Sequence, residues 1–146
     1  MTNHQRLTGT LDVALPPEEA FALFTPRGEE DWVDGWRPHF PADPIDDTEP
    51  GTVFQTNAHG DDTIWVVTAR ESGRRISYAR VTPGSRAGTV TVELEPTAEG
   101  SRVTVGYELT ALSDEGQAAL GEFAATYSDF LRSWETAIET WRTSGG

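Results

Sequence analysis

From Thr8 to Leu15 the chain alternates, with Gly9, Leu11, Val13 and Leu15 on one face and Thr8, Thr10 and Asp12 on the other. A period of two predicts a half-buried strand. Pro16-Pro17 ends it, and Pro17-Glu18-Glu19 suits the first turn of a helix, where proline costs no hydrogen bond and acids meet the positive end of the dipole. Ala20, Phe21, Leu23 and Phe24 carry this helix to about Thr25-Pro26. Gly28 to Trp36 reads as a second short helical turn bearing Trp32 and Trp36. Arg37 to Pro50 is irregular and rich in Pro and Asp, with one short strand expected near His39-Phe40.

Beyond Gly51 the pattern becomes strands separated by turns. The segments Thr52–Ala58, Thr63–Arg70, Arg75–Thr82, Thr89–Glu95 and Arg102–Thr110 are rich in Val and Thr, as pleated half-buried surfaces prefer. Ser113 then caps a long helix. Leu120, Phe123, Ala124, Tyr127, Phe130, Leu131, Trp134, Ala137, Ile138 and Trp141 recur at steps of three and four, forming one apolar stripe. The expected fold is α+β. A curved antiparallel sheet of six to seven strands wraps on the long C-terminal helix, and two short helices lie between the first two strands. The whole chain, 1–146, reads as one domain with frayed tails at 1–5 and 143–146.

Turn lengths predict a register. A two-residue hairpin at Glu71–Arg74 sets Trp65 opposite Arg80, Val67 opposite Tyr78 and Ala69 opposite Ile76. A turn over Pro83–Gly88 then pairs Arg80 with Val90 and Tyr78 with Val92, and one over Pro96–Gly100 pairs Val90 with Tyr107. The His59–Asp62 turn brings Thr56 beside Trp65 and Phe54 beside Val67. One inner layer therefore reads Thr56, Trp65, Arg80, Val90, Tyr107, an apolar row interrupted by a guanidinium.

Charge narrows the function classes. The formal balance is -13, from 24 acidic and 11 basic residues. All the basic residues are arginine, so lysine Schiff bases and a P-loop lysine are excluded. Such an acidic surface repels phosphates, so no nucleic-acid partner is expected. The absence of cysteine excludes disulfides, thiolate metal sites and a cysteine nucleophile. No apolar run reaches the length of a membrane span, and the first residues lack a signal peptide's hydrophobic stretch. The expected compartment is the cytoplasm.

Among the arginines only Arg80 falls on the expected inner face, where a guanidinium needs a partner or a wet cavity. It has two readings: a cation–π stack on Trp65 paired with a carboxylate, or a pocket residue that orients a polar or anionic ligand group, with Tyr78 and Tyr107 as neighbouring donors. His4, His39 and His59 share no ligand spacing, so no metal and no cofactor are expected. His39 lies near Trp32, Trp36 and Phe40 at the rim of any such pocket. Acid runs such as Glu29-Glu30-Asp31 read as solvated loops. Nucleophile elbows, zinc-protease signatures and dinucleotide fingerprints are missing. Phe123, Tyr127 and Phe130 are candidate cavity walls, with Trp134 onward assigned to ordinary packing.

The run Leu15-Pro-Pro-Glu-Glu-Ala-Phe-Ala-Leu-Phe24, with Gly51-Thr-Val-Phe54, Ile76-Ser-Tyr-Ala-Arg80 and Thr89-Val-Thr-Val-Glu93, resembles the START-like, SRPBCC superfamily of helix-grip proteins. The resemblance implies a cavity between sheet and last helix, roofed by the short helices, that takes small hydrophobic molecules. It places Trp32, Trp36 and His39 near the mouth. Phe54, Thr56, Trp65, Tyr78, Arg80 and Tyr107 then line the sheet wall, and Phe123, Tyr127 and Phe130 the helix wall. The oxygenase branch is excluded, because the ligands of its cluster are missing. The first expectation is binding or transport of a small hydrophobic ligand, with or without an anionic group, by a monomer or homodimer. A polyketide cyclase/aromatase- or dehydratase-type enzyme on the same cavity is the alternative, disfavoured because no deep carboxylate is evident. A chaperone-ATPase-activator-type interaction module, using Val53, Ile64 and Val66 on the outer sheet face, is the third.

Overall fold

The computed structural model describes residues 3–57 and 61–145. Strand β1 (His4–Val13) leads into α1 (Pro17–Leu23) and a 3-10 helix (Gly28–Asp31). Strands β2 (Val53–Thr56), β3 (Thr63–Glu71), β4 (Arg75–Thr82), β5 (Arg86–Thr97) and β6 (Gly100–Ala111) follow, then α2 (Asp114–Ala125) and α3 (Tyr127–Thr143). The sheet is antiparallel, six-stranded among the described residues, and ordered β1-β6-β5-β4-β3-β2. The expected α+β helix-grip architecture is therefore present. None of the described helices is long and apolar enough to cross a membrane.

The inner sheet face buries Leu11, Val67, Ile76, Val92, Val103 and Val105 against Leu120, Leu131 and Ile138 of α2 and α3. Helix α3 crosses β1 closely. A Cβ added at Gly9 would meet Leu131 Cδ1 at 2.5 Å, so the absence of a side chain there sets the approach. The same helix occupies the open edge of β1: the Asp12 amide donates to Glu135 Oε2 at 2.8 Å, and the Arg132 guanidinium donates to the Thr10 carbonyl. Edge groups that could template pairing are thus taken by side chains.

Several expectations are corrected. The C-terminal stripe is carried by two helices, not one. They break at Thr126, whose hydroxyl bonds back to the Glu122 carbonyl and whose φ of -112° leaves the helical range. His4 and Gln5 are not frayed but pair with Thr110 and Leu109. The strand expected near His39 is a single bridge to Gln55.

Trp65 does face Arg80, Val67 does face Tyr78, and Val90 does face Tyr107. Two other ladders slide by two residues. Arg80 pairs with Gly88 and Tyr78 with Val90, because only Pro83-Gly84-Ser85 form the loop closed by Thr82 and Arg86. Phe54 pairs with Trp65, and Thr56 with Thr63. A slide of two preserves which face each side chain takes. The Glu71 hairpin has three loop residues, with Gly73 at φ +78°, and a bulge between Val67 and Ala69 turns Ala69 outward and sets Arg70 opposite Ile76. The tip of the β2–β3 turn, including His59, lies outside the described residues.

Candidate functional site

The inner face of β3 to β6, the segment after α1, and the middle of α2 and α3 enclose a cavity of about 490 Å³. That volume lies in the range of small-molecule pockets. Its walls are chiefly aromatic. Trp32 and Trp134 meet edge-to-face at 5.3 Å, Trp36 and Trp65 at 5.6 Å, and Tyr107 and Phe123 at 5.1 Å. Phe130 packs on Trp134 at 4.9 Å. Residues 30–37 also flank an outward hollow of about 470 Å³, but that one is lined by this segment alone and is mostly polar.

Three indoles of the cavity are locked by their own N–H groups. Trp32 Nε1 donates to the Leu23 carbonyl at 2.8 Å, Trp36 Nε1 to the Pro26 carbonyl at 2.7 Å, and Trp65 Nε1 to Thr56 Oγ1 at 3.0 Å. These bonds fix the rings and leave only their apolar faces to the interior. The remaining polar functions of the cavity therefore stand out.

Arg80 lies with its guanidinium carbon 4.8 Å from the centroid of the Trp65 ring. One terminal nitrogen donates to Thr82 Oγ1 at 3.1 Å. Its Nε is buried without a partner, and no carboxylate among the described residues forms an ion pair with it. Burial lowers its pKa from the ordinary value, yet arginine remains a cation. Asp61 instead pairs with Arg86, at 3.5 Å across the same end of the cavity. The Tyr107 phenol is raised by burial, opposed by the Arg80 charge, so it keeps its proton. It lines the cavity, and its hydroxyl bonds to no described residue.

A carboxyl enters from the 3-10 helix. Glu29 and Trp32 are three residues apart, and in a 3-10 helix such residues eclipse one another. Trp32 is buried, so Glu29 is carried to the inner side, while Glu30 and Asp31 are exposed. Glu29 is half-buried as a residue, but the protein around its carboxyl desolvates it, and burial pushes its pKa well above the usual carboxylate range. Its side chain makes no hydrogen bond and no ion pair among the described residues.

Of the sequence-predicted residues, Trp32, Trp36, Thr56, Trp65, Arg80, Tyr107, Phe123 and Phe130 come together around this cavity. Four do not. His39 is exposed, its backbone bridged to Gln55. Phe54 is buried beneath Trp65, with ring planes 3° apart. The Tyr78 hydroxyl is spent on the Phe24 carbonyl at 2.8 Å, and that of Tyr127 on the Val105 carbonyl at 2.7 Å.

Glu29, Arg86 and Trp134 were not expected there. The three-residue step to Trp32 was the available signal for Glu29. For Trp134 the signal was the four-residue step from Phe130. Arg86 reaches the inner face because β5 begins three residues earlier than expected, so Arg80 is not the only inner arginine.

Solved structures share the fold. The chain is similar to protein MLL2253 from Mesorhizobium loti, with 21% identity, a TM-score of 0.67, and 93% of this chain and 98% of that one covered. It is similar to Mll3558 from Rhizobium loti, with 20% identity, a TM-score of 0.63, and coverages of 92% and 96%. DynU16, a protein in the dynemicin biosynthetic locus, aligns over 96% of this chain but 48% of its own, with 20% identity and a TM-score of 0.64. No curated protein matches the sequence. A sequence profile described as polyketide cyclase / dehydrase and lipid transport matches residues 4–139. With that match spanning nearly the whole chain, the protein belongs to the polyketide cyclase/dehydrase and lipid transport family of the START-like, SRPBCC superfamily.

Proposed function

We propose that this protein binds a small apolar, ring-containing molecule that carries a carboxylate or enolate, with Arg80 orienting the charged end. One observation carries the reading: a guanidinium stacked on Trp65 in the wall of an aromatic cavity, without a carboxylate partner among the described residues. A buried charge left unpaired by its own protein is costly, and a ligand anion would supply what is missing. The family's description includes lipid transport, which agrees with a binding role.

Conversion of the ligand in the same cavity is the second reading. It is favoured by Glu29 and Tyr107, which bring proton donors to a site where the sequence showed no deep carboxylate. An interaction module on the outer sheet face has less support, because the interior is hollow rather than filled.

The test is a fluorescence titration of the cavity tryptophans with 2-naphthoate and its neutral counterpart 2-methylnaphthalene, alongside native mass spectrometry of freshly purified protein. The wild type should bind both, and Arg80→Ala should lose about 10- to 100-fold in naphthoate affinity while keeping the neutral probe. A wild type that carries no apolar ligand and binds neither probe removes the binding reading.

A further inference from the structure

Glu29 is the polar group of the cavity that neither the fold nor an anion-binding role accounts for. Its backbone is held by the 3-10 turn: the amide donates to the Thr25 carbonyl at 3.1 Å, and its own carbonyl accepts from the amides of Trp32 and Val33 at 3.3 and 2.8 Å. The side chain therefore leaves a fixed point on the roof. It lines the same cavity as Arg80, yet the two form no ion pair, and Arg86, also present, pairs with Asp61. A carboxylate that shares an apolar chamber with two guanidiniums would be stabilised by closing on one of them. Glu29 instead lines the cavity without an ion-pair or hydrogen-bond partner for its side chain among the described residues, in a wall that also holds Trp32, Phe130 and Trp134.

Resting on the binding reading above, we propose that the ligand carries a second oxygen acceptor, a ketone or similar carbonyl remote from its anionic end, and that the Glu29 carboxylic acid donates a hydrogen bond to it. The ligand class is thus an aromatic keto acid rather than a simple fatty or aryl acid. The anionic end meets Arg80 on β4, the rings fill the indole-walled chamber, and the carbonyl lies under the 3-10 helix. The raised pKa of Glu29 agrees with this geometry, since only the protonated acid can donate.

The charged and titratable groups around the same chamber come from every neighbouring element. Asp34 follows the 3-10 helix, Asp61 precedes β3, and Arg80, Arg86 and Tyr107 stand on β4, β5 and β6. Tyr78, beneath the roof, also feels the Glu29 charge. Helices α2 and α3 present to the cavity only apolar residues and Ser133.

The test compares two probes of nearly equal shape, 6-acetyl-2-naphthoate and 6-isopropyl-2-naphthoate, by tryptophan quenching. The wild type should prefer the acetyl probe about tenfold at the lowest pH of a series in which the probe carboxylate is ionised, and Glu29→Leu should erase that preference. As pH rises through the raised pKa of Glu29 the wild-type preference should decline, because the ionised acid accepts rather than donates. Glu29→Gln retains a donor and every other charged group, so its preference should persist across the range. If both probes bind the wild type equally at all pH values, or if Glu29→Leu keeps the tenfold ratio, the Glu29 proposal fails while the cavity reading stands. If neither probe binds the wild type, both fail. The wild-type pH series decides the matter even where a Glu29 variant folds poorly.

Discussion

Two tyrosines on the inner sheet face, Tyr78 on β4 and Tyr107 on β6, should respond oppositely to loss of one oxygen. Tyr78 is 3% exposed, and its hydroxyl donates to the carbonyl of Phe24, itself 1% exposed, just beyond the end of α1. No other described donor serves that carbonyl. Tyr78→Phe therefore leaves a buried acceptor unsatisfied without creating a large void, at a cost of about 1–3 kcal/mol. For a domain of this size that is a fall in Tm of roughly 2–12 °C. Ligand affinity should hold, because the lost oxygen never faced the cavity. Tyr107→Phe removes a hydroxyl that no described residue uses, so Tm should move by no more than about 2 °C. Affinity for an acceptor-bearing probe such as 2-naphthoate should fall about 3- to 10-fold. Thermal unfolding followed by circular dichroism, paired with quenching titrations, reads both quantities. Loss of binding in Tyr78→Phe at unchanged Tm, or a large destabilisation in Tyr107→Phe, would refute this assignment of the two hydroxyls.

Arg80→Met should leave stability within about 1 kcal/mol or raise it, because a desolvated guanidinium with an unpaired Nε is replaced by an apolar chain of similar reach; urea unfolding showing a loss above about 3 kcal/mol would mean the arginine braces the fold. Glu29→Gln should gain stability relative to the wild type as pH rises. The folded-state pKa of Glu29 is raised, so above the unfolded value of about 4.3 the native state holds more protons than the unfolded chain, and stability falls until the raised pKa is passed. Parallel Tm-against-pH curves for the two proteins would contradict that. Gly9→Val should cost about 1–3 kcal/mol, since even its first carbon lands 2.5 Å from Leu131 Cδ1; an unchanged Tm would show that α3 shifts freely on β1.

The fold was legible in the chain because its signals are redundant. The strand faces follow from period-two alternation, and an error of two residues in pairing leaves them intact. That is why Arg80 and Trp65 are cross-strand neighbours as expected, while Arg80 meets Gly88 rather than Val90. Turn length is a weaker signal than alternation. Pro83–Gly88 contains enough turn formers for several loops, and the short one was chosen by the continuation of β5 back to Arg86. The split of the C-terminal stripe at Thr126 left no mark on the hydrophobic pattern, because the two helices keep the stripe facing the same sheet.

The site was legible where it is apolar and illegible where it is acidic, for a physical reason. An aromatic on an inner face belongs to the interior whichever element carries it, so eight of the twelve candidate residues meet around one cavity. The other four are separated by what their polar atoms do: a tyrosine hydroxyl aimed at a nearby carbonyl, as in Tyr78 and Tyr127, is invisible in a residue list. Glu29 illustrates the converse. Within Glu29-Glu30-Asp31 the three acids look equivalent, and a solvated loop would keep them so. Winding the segment as a 3-10 helix makes one of them eclipse Trp32, and burying Trp32 then draws that one acid inward. The expectation of a simple binder rested on the lack of an interior carboxyl. With Glu29 inside, the cavity presents an acid, a phenol and a guanidinium, three groups able to donate while the acid stays protonated. A chamber so equipped is matched by a ligand richer in oxygen acceptors than a lipid tail, and any chemistry performed there would begin with protonation or polarisation of a carbonyl rather than with nucleophilic attack.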